Sequence, residues 1–324
     1  MEVATWVWAL TMVGMLAVLA ADLFVVDRRP HEVGVGEAAR WVAFYIALAV
    51  GFGIGIGHFA GGRYAKEFFA GYITEYSLSV DNLFVFVIIM GAFAVPRIHQ
   101  HKVLLFGILT ALILRGLFIA AGAAAISAFE WVFYFFGAFL VYTAYKLATG
   151  HQDDGDYREN GMLRLARRVL PMTGRYHGAK TVVRVGGKRY VTPMLVVMIA
   201  IGTTDVLFAL DSIPAIFGLT KEPYLVFTAN VFALMGLRQL YFLIGGLLSR
   251  LVYLSKGLAI VLGFIGVKLI FEAMAASGVD WAPHIGIELS LSVIVGVLAV
   301  TTLASLVKVR RNPEAARPAP LNTR

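Results

Sequence analysis

The sequence predicts an all-α, polytopic membrane protein of about nine transmembrane helices containing an inverted repeat of three-helix units, and three observations carry the prediction. Hydrophobic residues make up 59% of the 324-residue chain and charged residues only 15%, too little polar surface to cover a water-soluble domain of this length. Apolar stretches of about 20 residues recur along nearly the whole chain, each able to cross roughly 30 Å of hydrocarbon as a helix. The few charges inside those stretches recur in a fixed order, and that order marks the repeat.

In chain order the expected spans are 5–26, 40–60, 67–92, 102–125, 128–149, 193–217, 223–247, 251–275 and 285–307. The first lacks a basic leader and is longer than a signal core, so a retained helix is expected. Gly51, Gly53, Gly55 and Gly57 stud the second. Gly55-Ile-Gly57-His-Phe-Ala60 formally fits a dinucleotide fingerprint, but no strand precedes it, and close helix packing is the expected role. His58 is expected at the membrane boundary, as are Glu272 and Glu288. Segment 150–192 opens with Asp153, Asp154, Asp156 and Glu159 near His151, continues through a basic amphipathic stretch from Leu163 to Leu170, and ends in a hairpin around Gly186-Gly187. The organisation is then residues 1–66 as two N-terminal helices, 67–149 as a first three-helix unit, 150–192 as a loop, 193–275 as a second unit, 276–307 as a last helix and 308–324 as a disordered tail.

Lys and Arg fall unevenly on alternate loops: 21 on one side, against only Arg63, Lys66 and Lys221 on the other. The positive-inside rule therefore places the N-terminus outside and the C-terminus in the cytoplasm of an inner membrane. The net charge of +8 resides in those basic loops, which suits contact with anionic lipids rather than nucleic acid. Cysteine is absent, excluding disulfides and thiolate ligands; a bound metal would need oxygen or imidazole donors.

The third span carries Glu75 and Asp81-Asn82, the sixth Asp205 and Asp211-Ser212, each placing two carboxylates six residues apart. Leu114-Arg115 with Gly122 is answered by Leu237-Arg238 with Gly245, and Lys146-Leu147 by Lys268-Leu269. An acid pair, a mid-helix Arg and a Lys near a helix end thus recur across three helices. Each unit has an odd number of spans and the loop between them returns to the same side, so the copies should be inverted, as in many secondary transporters.

Ionisable groups inside membrane helices cost several kcal/mol each and mark function by default. Glu75, Asp81, Asp205 and Asp211 against Arg115 and Arg238 leave a formal −2, which one divalent cation would cancel if all six lay together. Hard oxygen donors favour Mn²⁺, Mg²⁺ or Ca²⁺. Asn82, Ser212, Thr203, Thr204 and Asn230 could add neutral oxygens. The competing reading is a structural network in which the arginines neutralise acids and lock helices together. Residues six apart differ by about 240° and about 9 Å on a helix, so each acid pair either lines successive levels or sits on a broken helix. Pro214 offers a break in the sixth span.

At Glu75–Asn82, with its Ser-Val-Asp-Asn, and at Asp205-Val-Leu-Phe-Ala-Leu-Asp211-Ser212-Ile-Pro-Ala215 the chain resembles the TerC family of integral membrane proteins, particularly its Alx-type members. The resemblance extends over the whole chain. It implies links to tellurium resistance, manganese export and metal homeostasis, with Glu75, Asp81, Asp205 and Asp211 at the family's acidic positions and Asn82 and Ser212 at their polar neighbours. Gly202 stands where some members carry Glu, which bears on selectivity. The expected function is export of a divalent cation, foremost Mn²⁺, by exchange for protons, with no resident cofactor and no enzymatic activity. Alternatives are an intramembrane aspartyl protease using Asp81 and Asp211, or a non-transporting scaffold for a stress-response complex.

Overall fold

A computed structural model of the chain describes residues 3–26, 35–129, 131–149, 173, 175–178, 180–185, 187–244, 251–279 and 281–312. The elements are α1 (Thr5–Val26), α2 (Val35–Phe59), α3 (Gly62–Ala92), α4 (Arg97–Ala128), α5 (Val132–Thr149), β1 (Val182–Val185), β2 (Lys188–Val191), α6 (Pro193–Phe217), α7 (Pro223–Leu234), α8 (Leu237–Ile244), α9 (Leu254–Ala276) and α10 (Ile287–Arg311). Eight segments among the described residues are long and apolar enough to cross a membrane, α7 and α8 together forming one of them, and α1 adds a shorter apolar stretch, Thr5–Ala21. The protein is therefore a polytopic all-α membrane protein.

Local chemistry accounts for the helix limits. Pro193 and Pro223 open α6 and α7, where a missing N–H costs nothing and the fixed φ favours the first turn. Lys308, Arg310 and Arg311 close α10 beside its C-terminal carbonyls, a favourable match to the helix dipole. The helix thus runs past Lys308, where the sequence suggested a disordered tail; residues 313–324 lie outside the described residues. The hairpin pairs Val182 with Val191 and Val185 with Lys188, its turn using Gly187 at φ 81°. The acidic cluster near His151 and the amphipathic stretch from Leu163 to Leu170 also lie outside the described residues.

Two expectations about breaks are corrected. Pro214 does not interrupt α6, which stays helical to Phe217: the proline removes only the one bond its own N–H would make to the Leu210 carbonyl, and Gly218 N–H still closes on the Pro214 carbonyl at 3.0 Å. The break falls instead in the seventh span at Met235-Gly236, between α7 and α8. Gly236 has φ 82°, and a Cβ there would lie 2.8 Å from Cδ2 of Tyr45, so only glycine fits this turn. Arg238 is consequently the second residue of a short helix and not a mid-helix residue.

Packing crosses between the two three-helix units. α3 and α6 run antiparallel, Glu67 meeting Thr220, Gly71 facing Ile216 and Phe86 nearing Phe208. α4 runs along α6, with Gly107 against Ile201 and Gly122 against Phe217. α7 lies against α3 in the corresponding way, Ala229 meeting Gly71 and Phe232 meeting Phe68. α5 and α9 pack antiparallel at very close range, Gly137 on Gly266 and Ile270 and Gly263 on Ala144. In α2, Gly53 and Gly57 face Phe69 and Ala65 of α3, so the glycine run serves close approach; His58 is exposed at the helix end.

Candidate functional site

A buried charged triad lies where α3, α4 and α6 meet. Arg115 of α4 donates from one terminal nitrogen to Glu75 Oε2 at 2.6 Å, and its other terminal nitrogen lies 3.7 Å from Asp205 Oδ1. Side-chain exposure is 1% for Arg115, 0% for Glu75 and 5% for Asp205, so water screens none of these charges. Glu75 Oε1, Asp205 Oδ2 and the Arg115 Nε have no hydrogen-bond partner among the described residues, although buried polar groups are ordinarily paired.

The second acid of each pair points elsewhere, as a 240° rotation requires. Asp81 accepts from Ser255 Oγ of α9 at 3.0 Å, and Asp211 accepts from Thr143 Oγ1 of α5 at 3.0 Å. Each repeat's second aspartate is thus bonded to the last helix of the other repeat. The α5–α9 contacts, Gly137 on Gly266 and Gly263 on Ala144, place Thr143 near the middle of α9 and away from Ser255 at its start, so the two aspartates are tied to different points of the α5–α9 pair. Both are half-buried. α3 and α6 are continuous, and their acids line successive levels.

Asn82 and Ser212 share faces with Glu75 and Asp205, seven residues on, because seven residues return a helix to within about 20° of its starting direction. Ser212 is 2% exposed and Asn82 half-buried. Arg238 is 2% exposed and Asn230 1%. Thr203 and Thr204 turn back to carbonyls of their own helix, at Ile199 and Ala200, as isolated helix hydroxyls commonly do. Gly202 faces Thr110 of α4. Among the described residues no three His, Asp or Glu side chains gather to hold a metal ion. The proximity assumed in the charge count therefore holds for Glu75, Asp205 and Arg115, and not for Asp81 and Asp211.

Composition and spacing did not reveal the partners or the burial of several further residues. Ser255 and Thr143 are ordinary hydroxyls in apolar helices and carry no sequence signal. Glu67, 5% exposed, accepts from Arg63 Nε at 2.9 Å and Thr220 Oγ1 at 2.7 Å; its place at a span start disguised its burial. Lys268, 4% exposed, lies 3.7 Å from Glu272. These groups line a cavity of about 880 Å³ above the end of α6, together with Lys221, Glu222 and Glu288. Glu288 is bonded across the mouth to Lys66. On α3, Gly71, packed against Ile216, lies one helical turn from Glu67 at the cavity and one from Glu75 of the triad.

Comparison with known proteins places the chain in a family. The sequence model of the integral membrane protein TerC family matches residues 60–313, which include both acid pairs and both arginines. An uncharacterised membrane protein of Myxococcus xanthus is 41% identical over 97% of this chain and 96% of its own length. A thylakoid membrane protein of Arabidopsis thaliana named TERC is 43% identical over 82% of this chain and 68% of its own. The Escherichia coli K12 protein Alx, named for a proposed role as a membrane-bound redox modulator, is 38% identical over 91% and 92%. No solved structure matches. With a family match spanning most of the chain and relatives 38% to 43% identical over at least 82% of it, the chain belongs to the TerC family of integral membrane proteins.

Proposed function

We propose that the protein moves a divalent metal cation, foremost Mn²⁺, out across the inner membrane in exchange for protons, with its N-terminus outside and its C-terminus cytoplasmic. The observation that carries this reading is the triad. Two carboxylates and one guanidinium lie almost fully buried, and an oxygen of each carboxylate has no partner, an arrangement too costly inside a membrane to serve packing alone. Hard carboxylate oxygens suit Mn²⁺, Mg²⁺ and Ca²⁺. Arg115 then acts as a tethered cation that occupies the acids when no metal does. Carboxylates that release a metal can accept protons in its place, which supplies the exchange.

The flanking aspartates extend the acids into a route. Asp211 is displaced from Asp205 toward the cavity end of α6, and Asp81 from Glu75 toward the opposite end of α3. An inverted relation between the repeats accounts for these opposite displacements and for the crossed contacts of α4 with α6 and of α7 with α3. On this reading the cavity at Glu67 opens to the outside and its floor, Ile216 on Gly71, is the closed passage. The protease alternative is disfavoured, since a catalytic dyad needs its two carboxyls within hydrogen-bond reach of each other, whereas Asp81 is bonded to Ser255 of α9 and Asp211 to Thr143 of α5. The chain has no cysteine, so a redox effect of the kind in the E. coli relative's name would act here through the metal. The test is Mn²⁺ flux in reconstituted vesicles with and without a pH gradient; vesicles no more permeable than protein-free controls would leave the scaffold reading.

A further inference from the structure

Most hydroxyls in these helices are hydrogen-bonded, across to another helix as in Thr143 and Ser255 or back to their own, whereas Thr74, Ser79 and Ser212 are buried with no partner among the described residues. Ser77, Thr203, Thr204, Thr228, Thr301 and Ser305 each donate to a carbonyl one turn back, the local bond that lets a helix carry a hydroxyl in an apolar setting. Ser79, 1% exposed, does not: its Oγ is buried with no hydrogen-bond partner among the described residues. Ser79 lies four residues after Glu75, hence on the same face of α3 and about 6 Å along it. Glu75 Oε1 and Asp205 Oδ2 are in the same unsatisfied state.

As a packing residue Ser79 makes little sense. An unpaired buried hydroxyl is destabilising, and alanine would fill nearly the same space without that cost. A hydroxyl oxygen beside an unpaired carboxylate oxygen is, in contrast, a donor set for a hard cation. We propose that Ser79 Oγ is the neutral ligand of the central cation position, joining the unpaired oxygens of Glu75 and Asp205, and that it sets the preference for hard over soft divalent ions. This rests on the transport reading above and adds to it a residue that determines selectivity.

The experiment compares wild type, Ser79→Ala, Ser79→Cys and the control Ser77→Ala in proteoliposomes, measuring Mn²⁺ and Cd²⁺ uptake in competition and the thermal stability of each purified protein. Cys in place of Ser puts a soft sulfur donor where an oxygen stood, so the Cd²⁺-to-Mn²⁺ preference should rise about tenfold or more. Ser79→Ala should lower apparent Mn²⁺ affinity about tenfold, one lost ligand being worth roughly 1.4 kcal/mol, while unfolding at the same temperature as wild type or higher. Ser77→Ala should behave as wild type. If wild type transports Mn²⁺ and both Ser79 variants keep its affinity and its Cd²⁺-to-Mn²⁺ ratio, the ligand assignment is overturned and transport stands. If wild type moves neither ion, the transport reading fails and the assignment with it. A Ser79→Ala protein that unfolds well below wild type while the Cys variant keeps the wild-type ratio would make Ser79 structural and overturn the assignment.

Discussion

Replacing Arg115 by Gln removes the one positive charge that, among the described residues, is ion-paired with both of two nearly inaccessible carboxylates, with Glu75 0% and Asp205 5% exposed at the side chain. Removing one member of a buried ion pair costs about 3–5 kcal/mol because the partner is left charged and unsolvated. Here two partners are stranded, so the upper part of that range applies, equivalent to a fall of roughly 10 °C or more in melting temperature at about 2–4 °C per kcal/mol. A divalent cation that binds those oxygens replaces the lost charge. At a hundred times its dissociation constant it returns about 2.7 kcal/mol, more than half of the loss. The assay is thermal unfolding of the purified protein in detergent across a Mn²⁺ titration to millimolar concentration, wild type beside Arg115→Gln. The variant should melt well below wild type without metal and gain more from Mn²⁺ than wild type does, since it has no internal cation to displace. A variant that melts within 2 °C of wild type, or gains nothing from Mn²⁺, Mg²⁺ or Ca²⁺, would refute the view of Arg115 as a stand-in for the cargo.

Three further outcomes follow from the geometry. Asp81→Asn and Asp211→Asn should each abolish Mn²⁺ flux while remaining in the membrane, and Thr143→Val, which removes the bond to Asp211, should cost about 1.5–3 kcal/mol; wild-type flux in either Asn variant contradicts a route through both. Gly236→Ala should destabilise by at least about 1 kcal/mol, because φ is 82° and Tyr45 blocks the new methyl; an unchanged melting temperature would mean that the break between α7 and α8 is relaxed in the membrane. A reporter fused after Gly155 should read cytoplasmic and one after Gly278 external, and reversed readings would undo the orientation drawn from loop charge.

How much was legible varied by residue. Glu75, Asp205 and Arg115 stood out because a charge in an apolar span is conspicuous whatever its neighbours. That Arg115 serves both acids could not be read, since the contact joins residues 40 and 90 positions apart across three helices. The 240° between Glu75 and Asp81 follows from helix geometry alone, and the structure uses it by turning Asp81 to α9. Pro214 offered a break in the sixth span, but a proline removes a single backbone bond and α6 continues through it to Phe217. The break at Gly236 was missed because a single glycine in an apolar run reads as helix until its φ and its contact with Tyr45 are known.

By itself the sequence determined what depends on local composition and spacing: the membrane as solvent, the number and placement of nearly all the spans, the repeated order of charges, and the absence of thiolate ligands. Hydrophobic length and helix periodicity are properties of neighbouring residues, so they survive without knowledge of the fold. The tertiary structure alone decided which of the four acids meet, that Thr143 and Ser255 bind the two that do not, that Glu67 and Lys268 are buried at the cavity, and that Ser79 lacks the bond its neighbour Ser77 makes. Each of these depends on which helix faces which, and that is set by close contacts such as Gly71 on Ile216 and Gly137 on Gly266, between residues more than a hundred positions apart.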